Sequence, residues 1–184
     1  MGTTAVTTLE QFLALPDDGC RHELDEGELV ASPPSSTNHG DLSAQLVYLL
    51  RFALKDHKEF RVMSESGFVL DEAPYTVRAP DVSVCRRDRT RRRKDSPYLS
   101  GAPEIAVEVL SPSDTVSRMR KKLRQYLDSG AVYVWVVDGE NREVEVHEAG
   151  KKNLILTGKD SLTTPKLLPD LSIAVAEIFA DIET

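Results

Sequence analysis

Asp81, in Pro80-Asp81-Val82, and Glu108, in Val107-Glu108-Val109-Leu110, are acids set among aliphatic neighbours with strand character. A carboxylate in such surroundings is costly unless a cation or a hydrogen-bond donor meets it. Carboxylates from adjacent strands also repel each other, and a hard divalent ion such as Mg²⁺ relieves the repulsion while keeping several waters for chemistry. On the residues alone a plainer alternative stands beside this one: Asp81 opens a strand at the surface and Glu108 pairs with an arginine. Lys122 is the third element. At about 100° per residue it lies on the flank of a helical apolar stripe beside Met119 and Tyr126, whereas Lys121 points away from that stripe. A flanking lysine reaches along a packed helix toward the edge of a sheet, or else it snorkels over apolar surface and pairs with nothing.

The segment that positions these groups spans Pro103 to Asp138. Glu104 to Leu110 alternates, with Glu104, Ala106, Glu108 and Leu110 on one face and Ile105, Val107 and Val109 on the other. Pro112 stops this strand, and Ser111-Pro112-Ser113-Asp114 has the composition of a helix start. The spacing of Val116, Met119, Leu123, Tyr126 and Leu127 predicts an amphipathic helix over Asp114 to Ser129, ended by Gly130. Val132 to Val137 is apolar on both faces, as a covered central strand requires. Strand, helix and strand of these lengths make a right-handed crossover unit.

Around that unit, Thr8 to Leu15 predicts a short helix, and Arg21–Asp25 with Glu28–Ala31 a small hairpin. Leu42, Leu46, Leu49, Leu50 and Ala53 predict the first long helix, Asn38 to Lys55. Phe60 to Leu70 reads as one strand with a bulge near Gly67, and Arg78 to Val84 as a strand opened by Pro80-Asp81. Glu143–His147 and Leu154–Leu156 suggest a hairpin, and Leu171 to Phe179 a closing strand or short helix. The resulting core order is helix, strand, strand, strand, helix, strand.

A chain of 184 residues suits a single domain, 1–184. With a formal charge of −7 there is no bulk attraction to polyanions, yet Arg86 to Lys94 is a strongly basic island. That island either binds phosphates, with Arg91, Arg92 and Arg93 as the contacts, or forms a solvated loop. Cys20 and Cys85 lack metal-type spacing. No apolar run approaches a membrane span and no basic leader precedes one, so a cytoplasmic protein without membrane contact is expected.

Pro80-Asp81 and Glu108-Val109-Leu110 on successive strands resemble the PD-(D/E)XK nuclease superfamily, whose members share the restriction-endonuclease-like fold. More closely, Glu23-Leu24, Gly27-Glu28-Leu29, Ser32-Pro33-Pro34, His39, Pro80-Asp81-Val82, Val107 through Ser113, Lys122-Leu123 with Tyr126, and Trp135-Val136-Val137-Asp138 are similar to the Uma-type family of restriction endonucleases, over Arg21 to Phe179. The resemblance implies an α/β fold with a mixed central sheet flanked by helices, core order αβββαβ, with β additions at both ends. It implies Asp81 and Glu108 as ligands of Mg²⁺ or Mn²⁺, with the Val109 carbonyl as a third. Leu110 occupies the place of the superfamily's strand lysine, and the resemblance assigns that role to Lys122. His39 matches the family's histidine and would bind phosphate or position water, a capping or surface role being the alternative. Glu28 and Glu65 are further acids that could lie near the site. The implied function is a metal-dependent endonuclease acting on DNA, with a homodimer placing two sites across a duplex by analogy. The alternative is a catalytically inactive nuclease fold that binds nucleic acid or a partner protein.

Overall fold

The computed structural model describes residues 8–89, 96–112, 114–180 and 182. Arg91, Arg92 and Arg93, the proposed phosphate contacts, therefore lie outside the described residues, as does Ser113. The elements are α1 (Leu9–Leu13), β1 (Arg21–Asp25), β2 (Glu28–Ser32), α2 (Thr37–Ala53), β3 (Phe60–Ser64), β4 (Phe68–Glu72), β5 (Tyr75–Arg78), β6 (Val82–Arg86), β7 (Leu99–Ser100), β8 (Ile105–Val109), α3 (Val116–Asp128), β9 (Tyr133–Asp138), β10 (Glu143–His147), β11 (Leu154–Leu156), β12 (Ser161–Thr164), β13 (Leu168–Ala174) and α4 (Val175–Ile178). Among the described residues no helix is long and apolar enough to cross a membrane.

A six-stranded sheet ordered β11-β10-β9-β8-β6-β3 carries the expected core, α2, β3, β6, β8, α3, β9. The alternation in β8 decides what each face meets. Ile105, Val107 and Val109 join Val82, Val84, Trp135 and Val137 beneath Leu42, Leu46, Leu49 and Leu50 of α2. Ala106 packs with Val134 and Val136 against Leu123 and Tyr126 of α3. β8 and β9 run parallel, joined by α3, as a crossover demands. Thr115 caps α3 by accepting from the Arg118 N–H, and Ser36 caps α2 by accepting from His39.

Two expected strands are each divided between sheets. β3 belongs to the central sheet, but β4 pairs with β5 and β7 in a second sheet ordered β2-β1-β5-β4-β7. At the division Glu65 adopts a left-handed φ of 46°, and a Cβ on Gly67 would sit 2.2 Å from the Tyr98 ring. The glycine thus marks a departure from the sheet rather than a bulge. Arg78 likewise ends β5 in the second sheet, while β6 begins at Val82 in the first. Pro80 has no N–H for a ladder and separates them. Val116 is 69% exposed, so the buried stripe of α3 begins only at Met119.

Candidate active site

β6 and β8 are antiparallel with Val82 opposite Val107 and Ser83 opposite Ala106, so one step further Asp81 stands opposite Glu108. Opposed residues project from the same face, with Cβ atoms about 4.5–5.5 Å apart. That face is the one α3 covers. The end of this strand pair is also reached by the first turn of α2 and by β1, and together they enclose a cleft of about 420 Å³ lined by Arg21, Glu23, His39, Asp81, Glu108 and Lys122, among others.

Asp81 is 2% exposed, so it is no surface strand opener. Its Oδ1 accepts from Arg21 Nη1 at 2.6 Å, its Oδ2 accepts from the Val109 N–H at 2.7 Å, and His39 Nε2 lies 3.2 Å from Oδ2. Burial opposes its charge, but the His39 hydrogen bond and the Arg21 guanidinium outweigh burial and hold its pKa at about 2. His39 is raised in return, chiefly by its hydrogen bond to Asp81.

Glu108 is also buried, and its partners are not arginines. Tyr126 donates to Oε1 at 2.7 Å and Lys122 Nζ donates to Oε2 at 2.9 Å. Burial raises the Glu108 pKa, and the neighbouring Asp81 and Glu23 add to the rise against the pull of Lys122. Lys122 Nζ also lies 3.2 Å from Glu23 Oε1, so it is paired on two sides and is not a snorkelling residue. Glu23 in turn accepts from the Ala79 N–H at 2.8 Å and from Arg78 Nη1 at 3.1 Å. Burial would raise Glu23, but Lys122 and Arg78 hold it below the usual carboxylate range.

Asp81, Glu108, Val109, Lys122 and His39, picked from the sequence, thus come together around one cleft. Glu28 does not join them: it is exposed at the end of the hairpin. Glu65 is exposed, and its carboxylate lies 3.8 Å from Arg21. Lys121 departs from its expected solvent orientation, because its Nζ lies 2.9 Å from Asp25 and 3.1 Å from Glu26 on the β1–β2 hairpin. Of the basic island, Arg89 donates to Glu104 Oε1 at 2.7 Å and to the Ala102 carbonyl at 3.0 Å, a structural tie. Tyr98 packs on Phe12, ring centroids 6.0 Å apart, rather than offering a stacking face beside the island.

The site roles of Arg21, Glu23, Arg78 and the Tyr126 hydroxyl do not follow from the sequence pattern. Arg21, Glu23 and Asp25 alternate on one face of β1, which in isolation reads as the solvent side of a hairpin strand. Only α3, whose Lys121, Lys122 and Gln125 reach Asp25 and Glu23, turns that face inward, with Arg78 of the neighbouring strand β5 beside it. Tyr126 counted as an apolar member of the helical stripe, which it is, with a polar tip.

Among the described residues no group of three or more His, Cys, Asp or Glu side chains is placed to hold a metal ion. A metal in the cleft would rest on Asp81 and Glu108, and the oxygens of both now bind protein cations and donors. The donor set is all oxygen, two carboxylates beside the backbone of Val109, which fits a hard divalent ion that retains waters.

The Uma2 family model, described as "Putative restriction endonuclease", matches residues 9–176, taking in α1 as well as the strands and helices that line the cleft. No curated protein matches the chain. Among solved structures, a protein of Anabaena variabilis ATCC 29413 described as "a putative nuclease belonging to DUF820" aligns with a TM-score of 0.82 at 21% identity, covering 94% of this chain and 97% of that one. At that identity the likeness shows a common fold. Because the match takes in residues 9–176, most of the chain and the whole span from Arg21 to Lys122, this chain belongs to the Uma2 family, whose description is "Putative restriction endonuclease".

Proposed function

We propose that this protein is a divalent-metal-dependent endonuclease acting on DNA in the cytoplasm, with residues 1–184 as one domain and two copies cutting the two strands of a duplex. The observation that carries the reading is the opposition of Asp81 and Glu108 on one sheet face with Lys122 Nζ 2.9 Å from Glu108. Asp81, Glu108 and the Val109 carbonyl would hold Mg²⁺ or Mn²⁺, which supplies an acidified water and charge stabilisation at the scissile phosphate.

The residues of the chain do the rest. Asp81 keeps its negative charge at any working pH because Arg21 and His39 fix it. Tyr126 holds one oxygen of Glu108, so the carboxylate turns about a fixed point when Lys122 releases the other. Lys122, once off Glu108, carries an ammonium that orients the attacking water and meets the charge growing on a phosphate oxygen. Glu23 limits how far that ammonium travels, since it is the second carboxylate within reach. His39, on the same side as Asp81, positions the phosphate.

Calorimetric titration of Mg²⁺ and Mn²⁺ into wild type and Asp81→Ala, alongside nicking of supercoiled plasmid, tests this reading. Wild type should bind at millimolar metal or below and nick the plasmid, and Asp81→Ala should do neither. One observation favours the second reading, an inactive module that binds nucleic acid: each carboxylate already has protein partners on both oxygens. Absence of metal binding in wild type would overturn the metal-dependent reading in favour of that alternative.

A further inference from the structure

At the opposite end of α2 from His39, the last helical turn, the loop after it and the edge strand β3 enclose a second cleft, of about 390 Å³. Arg51, Lys55, Lys58, Arg61 and Arg87 line it, and among the described residues no aspartate or glutamate does. In a chain of net charge −7 this is an unusual concentration of one sign. Two carboxylates reach its rim through a lining histidine: His57 Nε2 lies 2.9 Å from Asp170 and its Nδ1 lies 3.5 Å from Glu59. Arg87 also donates from Nε to the Lys58 carbonyl at 2.8 Å, which ties the start of the basic island to this rim.

Packing does not call for these charges, since Leu54, Phe60 and Val62 supply the buried floor of the cleft. Like charges gathered this closely work against folding unless a counter-charge arrives. We infer that this cleft binds the phosphodiester backbone of nucleic acid at a distance from the candidate active site, as a sequence-independent anchor. The inference rests on the nuclease reading for the identity of the polyanion. Twelve residues of α2 separate His39 from Arg51, which at 1.5 Å per residue is about 18 Å. A duplex advances about 3.4 Å per base pair, so one bound strand would meet the two sites roughly five base pairs apart. The competing account is that lysines and arginines merely protect β3, an edge strand, from pairing with another chain.

The test is fluorescence anisotropy of an end-labelled 30-base-pair duplex without divalent metal, from about 50 to 200 mM salt. Wild type is compared with Arg51→Ala/Lys55→Ala/Lys58→Ala and with Lys151→Ala/Lys152→Ala/Lys159→Ala, which removes the same charge elsewhere. All six side chains are exposed, so both variants should fold. If the cleft holds phosphates, the first variant loses on the order of 10² in affinity near 0.1 M salt and its salt slope falls by about 2 to 3, while the second keeps the wild-type slope. With metal present, the first variant should raise KM and leave kcat unchanged, because uniform binding is what it removes. Equal slopes for the two variants would overturn the anchor and leave the nuclease reading standing. Wild type that binds but does not cut, with the slope still lost in the first variant, would sink the nuclease reading and keep the anchor. Wild type that binds no duplex at 50 mM salt would overturn the anchor, and plasmid nicking with metal present would then decide the nuclease reading separately.

Discussion

Across the β6–β8 pair, Asp81 meets Arg21 of β1 and His39 of α2, whereas the facing Glu108 meets Lys122 and Tyr126 of α3 alone. Asp81 is held near pKa 2 despite burial, while burial carries Glu108 upward. The two carboxylates differ because of where their cations come from. Arg21 and His39 belong to separate elements, and Asp81 also accepts from the Val109 backbone, so its charge is tied into the fold. Glu108 depends on one flexible ammonium that Glu23 also claims. The Asp81 side is therefore the fixed half of the cleft, and the Glu108 side is the half that hangs on one shared, flexible ammonium.

The strongest way to break this contrast is Glu23→Ala. It removes the carboxylate shared by Arg78 and Lys122 and leaves a buried guanidinium and the Ala79 N–H short of a partner. Breaking a buried pair from one side costs about 3–5 kcal/mol, which urea denaturation would read as a lower midpoint at unchanged m-value. A loss under about 1 kcal/mol would mean that Asp25, 2.9 Å from Arg78 Nη2, and Gln125, whose Oε1 accepts from Arg78 Nε and Nη2, suffice without Glu23.

Next in size is Lys122→Ala. If its ammonium stabilises the transition state, single-turnover cleavage should fall on the order of 10²- to 10³-fold, and metal affinity in calorimetry should stay the same or rise, because a competing cation is gone. Lys122→Arg should rescue poorly, since a planar fork does not replace a compact ammonium at one oxygen. Wild-type cleavage by Lys122→Ala would reduce this lysine to a counter-ion for Glu108.

The core order and both layers of this site were legible in the sequence because β8 and α3 advertise their faces. Ile105, Val107 and Val109 could only look one way, and Glu108 the other. What was hidden is long-range. Nothing local distinguishes a bulge at Gly67 from a change of sheet, which depends on the left-handed Glu65 and on Tyr98 filling the space above the glycine. Pro80 was visible as a break, but not that it hands the chain from one sheet to another and so brings Arg78 to Glu23. Arg21 and Glu23 look like hairpin surface until α3 lies over them.

The fixed half can be probed by pH. Asp81 has a folded pKa below its unfolded value, so its contribution is present above about pH 4 and is lost as pH falls through about 2. A shift of that size is worth about 2 kcal/mol. His39 has a folded pKa above its unfolded value, so its contribution is complete below about pH 6.5 and is lost as pH rises through the folded pKa. The pair thus supports the fold most fully between about pH 4 and 6.5. Denaturation midpoints at pH 3, 5 and 9 should show His39→Asn flattening the alkaline loss and also weakening the acid limb, because the His39 hydrogen bond is the main contact that holds Asp81 down. An alkaline loss equal to that of wild type would show that His39 is neutral in the folded protein at both pH 5 and pH 9.

The smallest expected effect belongs to Lys121→Ala, and it sharpens the contrast by one residue of helix. Lys121 and Lys122 are adjacent and carry the same charge, yet the first reaches Asp25 and Glu26 on the hairpin and the second reaches Glu108 and Glu23 inside the cleft. The Lys121 side chain is 34% exposed and that of Lys122 13%. A partly solvated pair of the first kind is worth 0 to about 1 kcal/mol, and Asp25 keeps Arg78 and Gln125 when the lysine is gone. Lys121→Ala should therefore lower stability by less than about 1 kcal/mol, respond weakly to added salt, and retain nearly all cleavage activity. Loss of general positive charge would affect both alanine variants alike, so the difference between them isolates position from charge. Should Lys121→Ala cut as poorly as Lys122→Ala, with stability unchanged, the hairpin contact of Lys121 would itself belong to the substrate path, and the Glu108 half of the cleft would extend out to β1 and β2.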